Sequence, residues 1–142
     1  MSALDRAAEL RAVHARHEVI NTLVRYLRAV DGQDLDGVLA ELRYATVGFG
    51  GPEHHGTGEL AALYRAAFAS GSRTLHLLHE AEVELSAYGP GVVGRAVYQR
   101  WSLDTDPPAV TAFGRYHAVF TREGGQLRLL RLTVAREWQR EG

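Results

Sequence analysis

The sequence predicts an α+β fold, in which three N-terminal helices pack in the concave face of a strongly curved antiparallel sheet and form a cone-shaped α+β barrel. Three observations favour this class. Apolar residues recur at helical spacing in the first third of the chain, capping residues and glycines mark two shorter helices, and four segments rich in Val, Leu, Tyr and Thr follow. The 142 residues suffice for one ordinary core, so we expect a single domain over residues 1–142.

The first helix is predicted from a stripe of mostly apolar residues spaced alternately by three and four. The stripe consists of Leu10, Val13, His17, Ile20, Val24 and Leu27. One long helix, roughly Leu4 to Val30, accounts for it, and Gly32 ends the helix. Asp34 then caps a short second helix.

Glycines interrupt residues 43–58, so Tyr44 to Phe49 forms at most a short strand before a loop. A third helix is predicted from a Thr57 cap to Gly71. The long strands are expected at Thr74–Ser86, Gly91–Asp104, Pro108–Thr121 and Gln126–Trp138. The connections between them are short, which is typical of antiparallel hairpins.

The composition excludes several kinds of chemistry. Sixteen basic and seventeen acidic residues give a formal charge of −1, so nucleic acid and anionic membranes are not expected partners. Every basic residue is arginine, and cysteine is absent, which excludes lysine Schiff bases, thiol nucleophiles and thiolate metal sites. The histidine pairs His14/His17 and His54/His55 lack metal-site spacing, so no metal is expected. Charged residues interrupt the N-terminal segment, which favours a cytoplasmic protein with neither a signal peptide nor a membrane span.

Asp31 extends the stripe of the first helix by one turn, at a position where an apolar residue is due. It should therefore face the interior. There, desolvation and the negative end of the helix dipole favour its neutral form, which would make it a useful base near neutral pH. The alternative is that Asp31 and Gly32 form a turn that ends the helix with the carboxylate exposed.

His76 is the second candidate, because it opens the first long strand. Alternation places His76, Leu78, Glu80, Glu82 and Glu84 on one face of that strand and Leu75, Leu77, His79, Ala81 and Val83 on the other. Either face could be the buried one. If the face of His76 is interior, a His–Asp pair could abstract and return a proton; otherwise His76 is a structural residue.

Several local patterns occur in an order that resembles a known family. They are Arg25–Tyr26, the run Val30–Asp31–Gly32–Gln33–Asp34–Leu35–Asp36, His55–Gly56, Thr74–Leu75–His76, Gly114–Arg115–Tyr116, Arg131 and Trp138. The chain resembles the SnoaL-like branch of the nuclear transport factor 2-like superfamily, which includes scytalone dehydratase, ketosteroid isomerase and polyketide cyclases. In scytalone dehydratase-like members the aspartate of the helix turn and the histidine opening the first long strand form the acid/base pair, and the resemblance places these roles on Asp31 and His76. Phe113 and Val30 stand where scytalone dehydratase has a second catalytic histidine and a substrate-binding tyrosine.

We therefore expect a cofactor-independent dehydratase, isomerase or cyclase that acts on a hydrophobic oxygenated small molecule, such as a polyketide or aromatic natural product. Asp31 and His76 would move a proton α to a carbonyl. The expected pocket walls are Tyr26, Phe49, Tyr64, Tyr98, Phe113, Tyr116 and His117.

Two other functions stay open at this point. The first is a non-catalytic module that binds a small molecule or dimerises. The second is an epoxide hydrolase, for which Arg115 or Arg131 with Asp31 is the candidate set, although a second aspartate is missing. The resemblance also implies a homodimer formed through the outer face of the sheet.

Overall fold

The computed structural model describes residues 2–87 and 89–140. Its helices and strands are α1 (Ala3–Asp31), α2 (Leu35–Glu41), β1 (Thr46–Gly48), β2 (Glu53–His55), α3 (Thr57–Phe68), β3 (Thr74–Leu85), β4 (Gly91–Ser102), β5 (Ala109–Glu123) and β6 (Gln126–Gln139). This order confirms the predicted α+β class of three helices followed by long strands. Within the described residues, none of the helices combines the length and apolar character that crossing a membrane requires.

The first helix begins and ends as the capping rules require. Ser2 and Asp5 form a reciprocal capping box at its start, and the backbone N–H of Gly32 donates to the carbonyl of Arg28 at its end. The side chain of Asp34 accepts from the N–H of Gly37 and caps α2. For α3 the N-cap is Gly56, not the predicted Thr57, and its φ of 94° suits glycine.

The buried face of α1 differs from the predicted stripe. The buried residues are Ala15, Val19, Thr22, Leu23, Tyr26, Leu27 and Ala29, whereas Leu10, Val13 and His17 are exposed. Apolar residues occupy two adjacent faces of this helix, so periodicity indicates a helix without deciding which face is covered. Docking against the sheet makes that choice, and it leaves the first part of the helix uncovered.

The sheet has six strands in the order β2-β1-β6-β5-β4-β3. The long strands pair antiparallel, but β1 runs parallel to β6, so the sheet is mixed rather than purely antiparallel. Strand β2 was not predicted; it pairs with β1 across the glycine-rich loop. Because β2 and β3 are edges, the curled sheet does not close into a full barrel.

A bulge in β3 decides which of its side chains face the helices. The pairing with β4 shifts between His79 and Glu82, and Glu80 has a φ of 49°. Before the bulge, Leu78 packs against the core; after it, Ala81 and Val83 do so. The bulge therefore switches the parity of the strand. Strict alternation therefore assigned the strand faces incorrectly, because each predicted face contains residues from the concave side and residues from the convex side of the sheet.

The core lies between α1, α3 and the concave face of the sheet. Leu23, Leu60, Phe120 and Leu132 are almost completely buried there. Gly94 in β4 allows the helix to approach closely, since a Cβ at this position would lie 2.6 Å from Cγ1 of Val19. This close approach brings the end of α1 over the start of β3.

Candidate active site

Asp31 and His76 are in direct contact. Oδ1 of Asp31 lies 2.6 Å from Nδ1 of His76 and accepts a 2.9 Å hydrogen bond from the hydroxyl of Thr74. Oδ2 accepts a 2.8 Å bond from the backbone N–H of His76. The side chains of Asp31 and His76 are only 16% and 11% exposed. Asp31 is therefore not the exposed turn residue of the alternative interpretation.

The contacts around Asp31 favour one tautomer of His76. Asp31 is the acceptor for a hydroxyl and a backbone N–H, which is the behaviour of an ionised carboxylate. A proton on Nδ1 of His76 then donates to Oδ1, and Nε2 carries the lone pair. His76 lines the main cavity, so this imidazole, rather than Asp31, is the group suited to accept a proton from a ligand.

The cavity lies between the helices and the concave face of the sheet and has a volume of about 380 Å³. Five of the predicted wall residues line it, namely Tyr26, Phe49, Tyr64, Tyr98 and Tyr116. Polar groups at its wall include Gln33, Ser70, Ser72, Thr74, Ser102 and Thr111. A cavity of this size and mixed lining suits a small organic molecule.

The family model for the SnoaL-like domain matches residues 11–133. The chain belongs to the SnoaL-like family. The resemblance expected from the sequence is thereby confirmed. No functionally curated protein is significantly similar to this sequence.

Solved structures share the fold of this SnoaL-like domain. An NTF2-like protein with a cystatin-like fold from Novosphingobium aromaticivorans is 20% identical, over 96% of this chain and 90% of that chain, with a TM-score of 0.76. ActVI-ORFA from Streptomyces coelicolor is 16% identical, over 85% and 96% of the two chains, with a TM-score of 0.75. A protein described as the beta subunit of an aromatic-ring-hydroxylating dioxygenase, from Novosphingobium aromaticivorans, is 19% identical. The match covers 92% of this chain and 94% of that chain, with a TM-score of 0.76. At these identities the likeness establishes the fold alone.

Tyrosines form much of the inner wall of this SnoaL-like domain. The hydroxyls of Tyr26 and Tyr64 are 2.6 Å apart, and the rings of Tyr98 and Tyr116 stack with centroids 4.6 Å apart. Burial raises the pKa of Tyr26, Tyr64 and Tyr116 well above the ordinary tyrosine value. These three phenols therefore stay neutral near pH 7 and retain O–H groups that can donate.

Two predicted wall residues, Phe113 and His117, lie outside the cavity. Along β5, Ala112, Gly114 and Tyr116 are buried, so the alternating Phe113 and His117 face the convex side. Phe113 is 40% exposed and stacks on Trp138. The prediction was wrong for this pair because aromatic character alone does not reveal which face of a strand is buried.

The two arginines predicted from the sequence are not those of the cavity. Arg115 pairs with Glu137 and Arg131 with Glu53, and neither lines the main cavity, so the epoxide hydrolase set is not assembled. The arginines of the cavity are Arg100 and Arg136. A signal for Arg100 existed, because it lies two residues after Tyr98 and so shares its face of β4. Arg136 follows irregular pairing in β6, which sequence alternation does not reveal.

Within residues 2–87 and 89–140, no three His, Asp or Glu side chains are grouped closely enough to hold a metal ion. The cavity wall presents imidazole, phenol, hydroxyl, amide and guanidinium groups.

Proposed function

We propose that this SnoaL-like domain is a cofactor-independent enzyme that removes and returns a proton next to a carbonyl of a hydrophobic oxygenated small molecule. Dehydration, isomerisation and cyclisation all begin with this step. The observation that carries the proposal is the 2.6 Å contact between Nδ1 of His76 and Oδ1 of Asp31 at the wall of the cavity. An imidazole oriented by a carboxylate is a common acid/base unit.

In the proposed mechanism, His76 is the base and Asp31 holds it. Nε2 of His76 takes the α-proton of the substrate and returns it to another carbon or to a leaving hydroxyl. Asp31 stabilises the imidazolium that forms and prevents the ring from rotating, because both of its oxygens are already engaged by Thr74 and by His76. This division of roles differs from the expectation that Asp31 is itself the base.

The lining of the cavity supports an oxygenated and largely hydrophobic substrate. The rings of Tyr98 and Tyr116 offer a flat apolar surface, which suits an aromatic natural product or polyketide. One hydroxyl of the Tyr26–Tyr64 pair donates to the other, which leaves one phenol O–H to donate to a carbonyl or hydroxyl oxygen of the ligand. The rings of His76 and Tyr98 are 6.3 Å apart, so one ligand can contact both.

The test is the dehydration of 3-hydroxy-1-tetralone, which loses water after removal of a proton α to its carbonyl and yields 1-naphthol. We expect the wild-type protein to accelerate naphthol formation, measured by fluorescence. His76→Ala should lower the enzymatic rate by about 100-fold or more, the usual contribution of a general base. Asp31→Asn should lower it too, because the amide no longer favours the Nδ1–H tautomer.

His117→Ala is the matched control, because this histidine lies on the convex face. Its rate should equal that of the wild type. A folded Asp31→Asn/His76→Ala double variant with undiminished turnover would remove the mechanism. If the wild-type protein binds the ketone but gives no acceleration over buffer, the non-catalytic binding or dimerisation module is the better function.

We also propose that the protein forms a homodimer through the convex face of the sheet. Large apolar side chains cluster there at one end of strands β3 to β6, in an arrangement that we call the convex patch. The convex patch consists of Leu75, Leu77, Trp101, Phe113 and Trp138. Four of these side chains are exposed and Trp101 is half-buried. Contiguous apolar surface of this kind favours a protein interface.

A further inference from the structure

Two positively charged side chains share the cavity with His76. Arg100 of β4 lies directly opposite His76 of β3 in the sheet. Both side chains therefore project from the concave face at neighbouring positions. Directly opposed residues in an antiparallel pair have Cβ atoms about 5 Å apart. Arg136 reaches the same cavity from β6. A ligand that contacts His76 is therefore next to two guanidinium groups.

Neither guanidinium has a carboxylate within ion-pair distance in the part of the chain that the structure describes. Nε of Arg100 donates to the hydroxyl of Thr111 at 3.0 Å, and a terminal nitrogen of Arg136 donates to the side-chain oxygen of Gln139 at 2.8 Å. The residues that line the cavity include no Asp or Glu among those the structure describes, and Asp31, the carboxylate behind His76, accepts from Thr74 and His76. Two cations therefore line the cavity without a protein counterion.

Seven other arginines form ion pairs with acidic residues, and the remaining seven have no ion pair among the described residues but are exposed to solvent. Those in ion pairs are Arg25, Arg73, Arg95, Arg115, Arg122, Arg128 and Arg131. Arg136 is exposed, but Arg100 is partly buried, and removing a charge from water without a partner is costly. Burial, reinforced by the nearby charge of Arg136, lowers the pKa of Arg100, which is the sign of a cation in an unfavourable environment. A bound anion would relieve both effects.

We propose that the substrate carries a carboxylate that binds Arg100 and Arg136, and this inference rests on the proposed function of the cavity. The two oxygens of a carboxylate match the paired N–H groups of a guanidinium. With the carboxylate on Arg100, the neighbouring carbon atoms of the substrate lie against Nε2 of His76. The aromatic part then lies along Tyr98 and Tyr116. The arginines thus act as specificity residues that select an acid and set its orientation.

The test compares probes that differ in charge but not in ring system. 2-Naphthoate, 2-naphthamide and 2-naphthyl phosphate are titrated into the wild-type protein by isothermal calorimetry at low salt. We expect 2-naphthoate to bind at least tenfold more tightly than either of the other two. Arg100→Gln and Arg136→Gln should each reduce this preference about tenfold, and Arg100→Lys should retain part of it.

Arg95→Gln is the matched control, because Arg95 belongs to the same strand as Arg100 but pairs with Glu84 at the surface. It should keep the full preference for 2-naphthoate. The proposal is overturned if the naphthamide binds the wild type as well as the naphthoate does, which includes the case of no measurable binding of either. Equal or tighter binding of the naphthyl phosphate overturns the assignment to a carboxylate, and an equal loss in Arg95→Gln overturns the assignment to Arg100 and Arg136.

The proton-transfer proposal can fail without this one failing. His76→Gln is expected to lose the dehydration of 3-hydroxy-1-tetralone and to keep the preference for 2-naphthoate over 2-naphthamide. A wild-type protein that selects the carboxylate without dehydrating the ketone would be an acid-binding module. One that dehydrates the neutral ketone without selecting the carboxylate would be an enzyme for neutral substrates.

Discussion

All three donors to the Asp31 carboxylate come from residues 74–76 at the start of β3. Thr74 supplies its hydroxyl, and His76 supplies both its ring and its backbone N–H. A short extended segment can do this because alternate side chains point to the same face. The local pattern Thr-x-His is therefore sufficient to hold a carboxylate that arrives from the end of α1. In the sequence, Asp31 was singled out by the stripe of the first helix and His76 by its place at the start of the first long strand, and the hydroxyl of Thr74 was not predicted as a partner.

The buried tyrosines predict a loss of stability in alkaline solution. Burial raises the pKa of Tyr116 well above its ordinary value of 10.0. The folded protein therefore keeps this proton at a pH where the unfolded chain releases it. The resulting stability is complete below about pH 10 and falls as the pH rises further.

Replacing Tyr116 with Phe removes one such group. Between pH 10 and the raised pKa of the buried phenol, we expect the free energy of unfolding of Tyr116→Phe to fall less steeply than that of the wild type, by about 1.4 kcal/mol per pH unit. Urea denaturation at several pH values measures this slope. Tyr44→Phe is the control, since Tyr44 is 44% exposed, and its slope should match the wild type. Identical slopes for all three proteins would contradict the prediction.

At the scale of single elements, the bulge of β3 and the glycine of β4 set the position of the candidate active site. The bulge lets the strand present His76 at one end and the apolar Ala81 and Val83 at the other, all towards the helices. Gly94 leaves room for Val19, so α1 can lie close to the sheet. Small backbone features thus place Asp31 over β3.

Adding a methyl group at Gly94 should separate these elements. The new Cβ would lie 2.6 Å from Cγ1 of Val19, so we expect Gly94→Ala to reduce the free energy of unfolding by about 1–3 kcal/mol. Chemical denaturation measures the change. Gly91→Ala in the same strand is the control, because its Cβ would meet Ser86 at an ordinary 3.7 Å. Shortening the neighbour with Val19→Ala should offset part of the stability lost in Gly94→Ala. If the double variant instead loses the sum of the two single losses, the steric explanation is wrong.

At the scale of the whole molecule, the curled sheet has one face that lines the cavity and another that carries the convex patch. Its concave face and the helices enclose the cavity, while the convex patch is left uncovered. Phe113 and Trp138 stack there with centroids 5.8 Å apart and are each about 40% exposed. Two copies that meet through this face would cover the aromatic side chains without closing the cavity.

A charge at the centre of the convex patch should therefore prevent dimerisation. We expect the wild type to sediment as a dimer and Phe113→Glu as a folded monomer, because an unpaired carboxylate in an apolar interface is costly. Analytical ultracentrifugation with circular dichroism measures both properties. Leu130→Glu is the matched control, since Leu130 is 39% exposed and lies outside the patch; it should remain a dimer. A monomeric wild type would refute the interface.

The sequence by itself determined the succession of elements and singled out Asp31 and His76, which the structure brings into contact. Capping residues, glycines and hydrophobic spacing are local signals, and Asp31 and His76 each stand at the end of a well-marked element. The tertiary structure decided which faces of these elements are covered. It buried Val19 and Leu23 rather than Leu10 and Val13, turned Phe113 and His117 outward, and brought Arg100 and Arg136 into the cavity. The physical reason is that burial depends on what packs against a face, and strand bulges and helix docking change that without changing the local pattern.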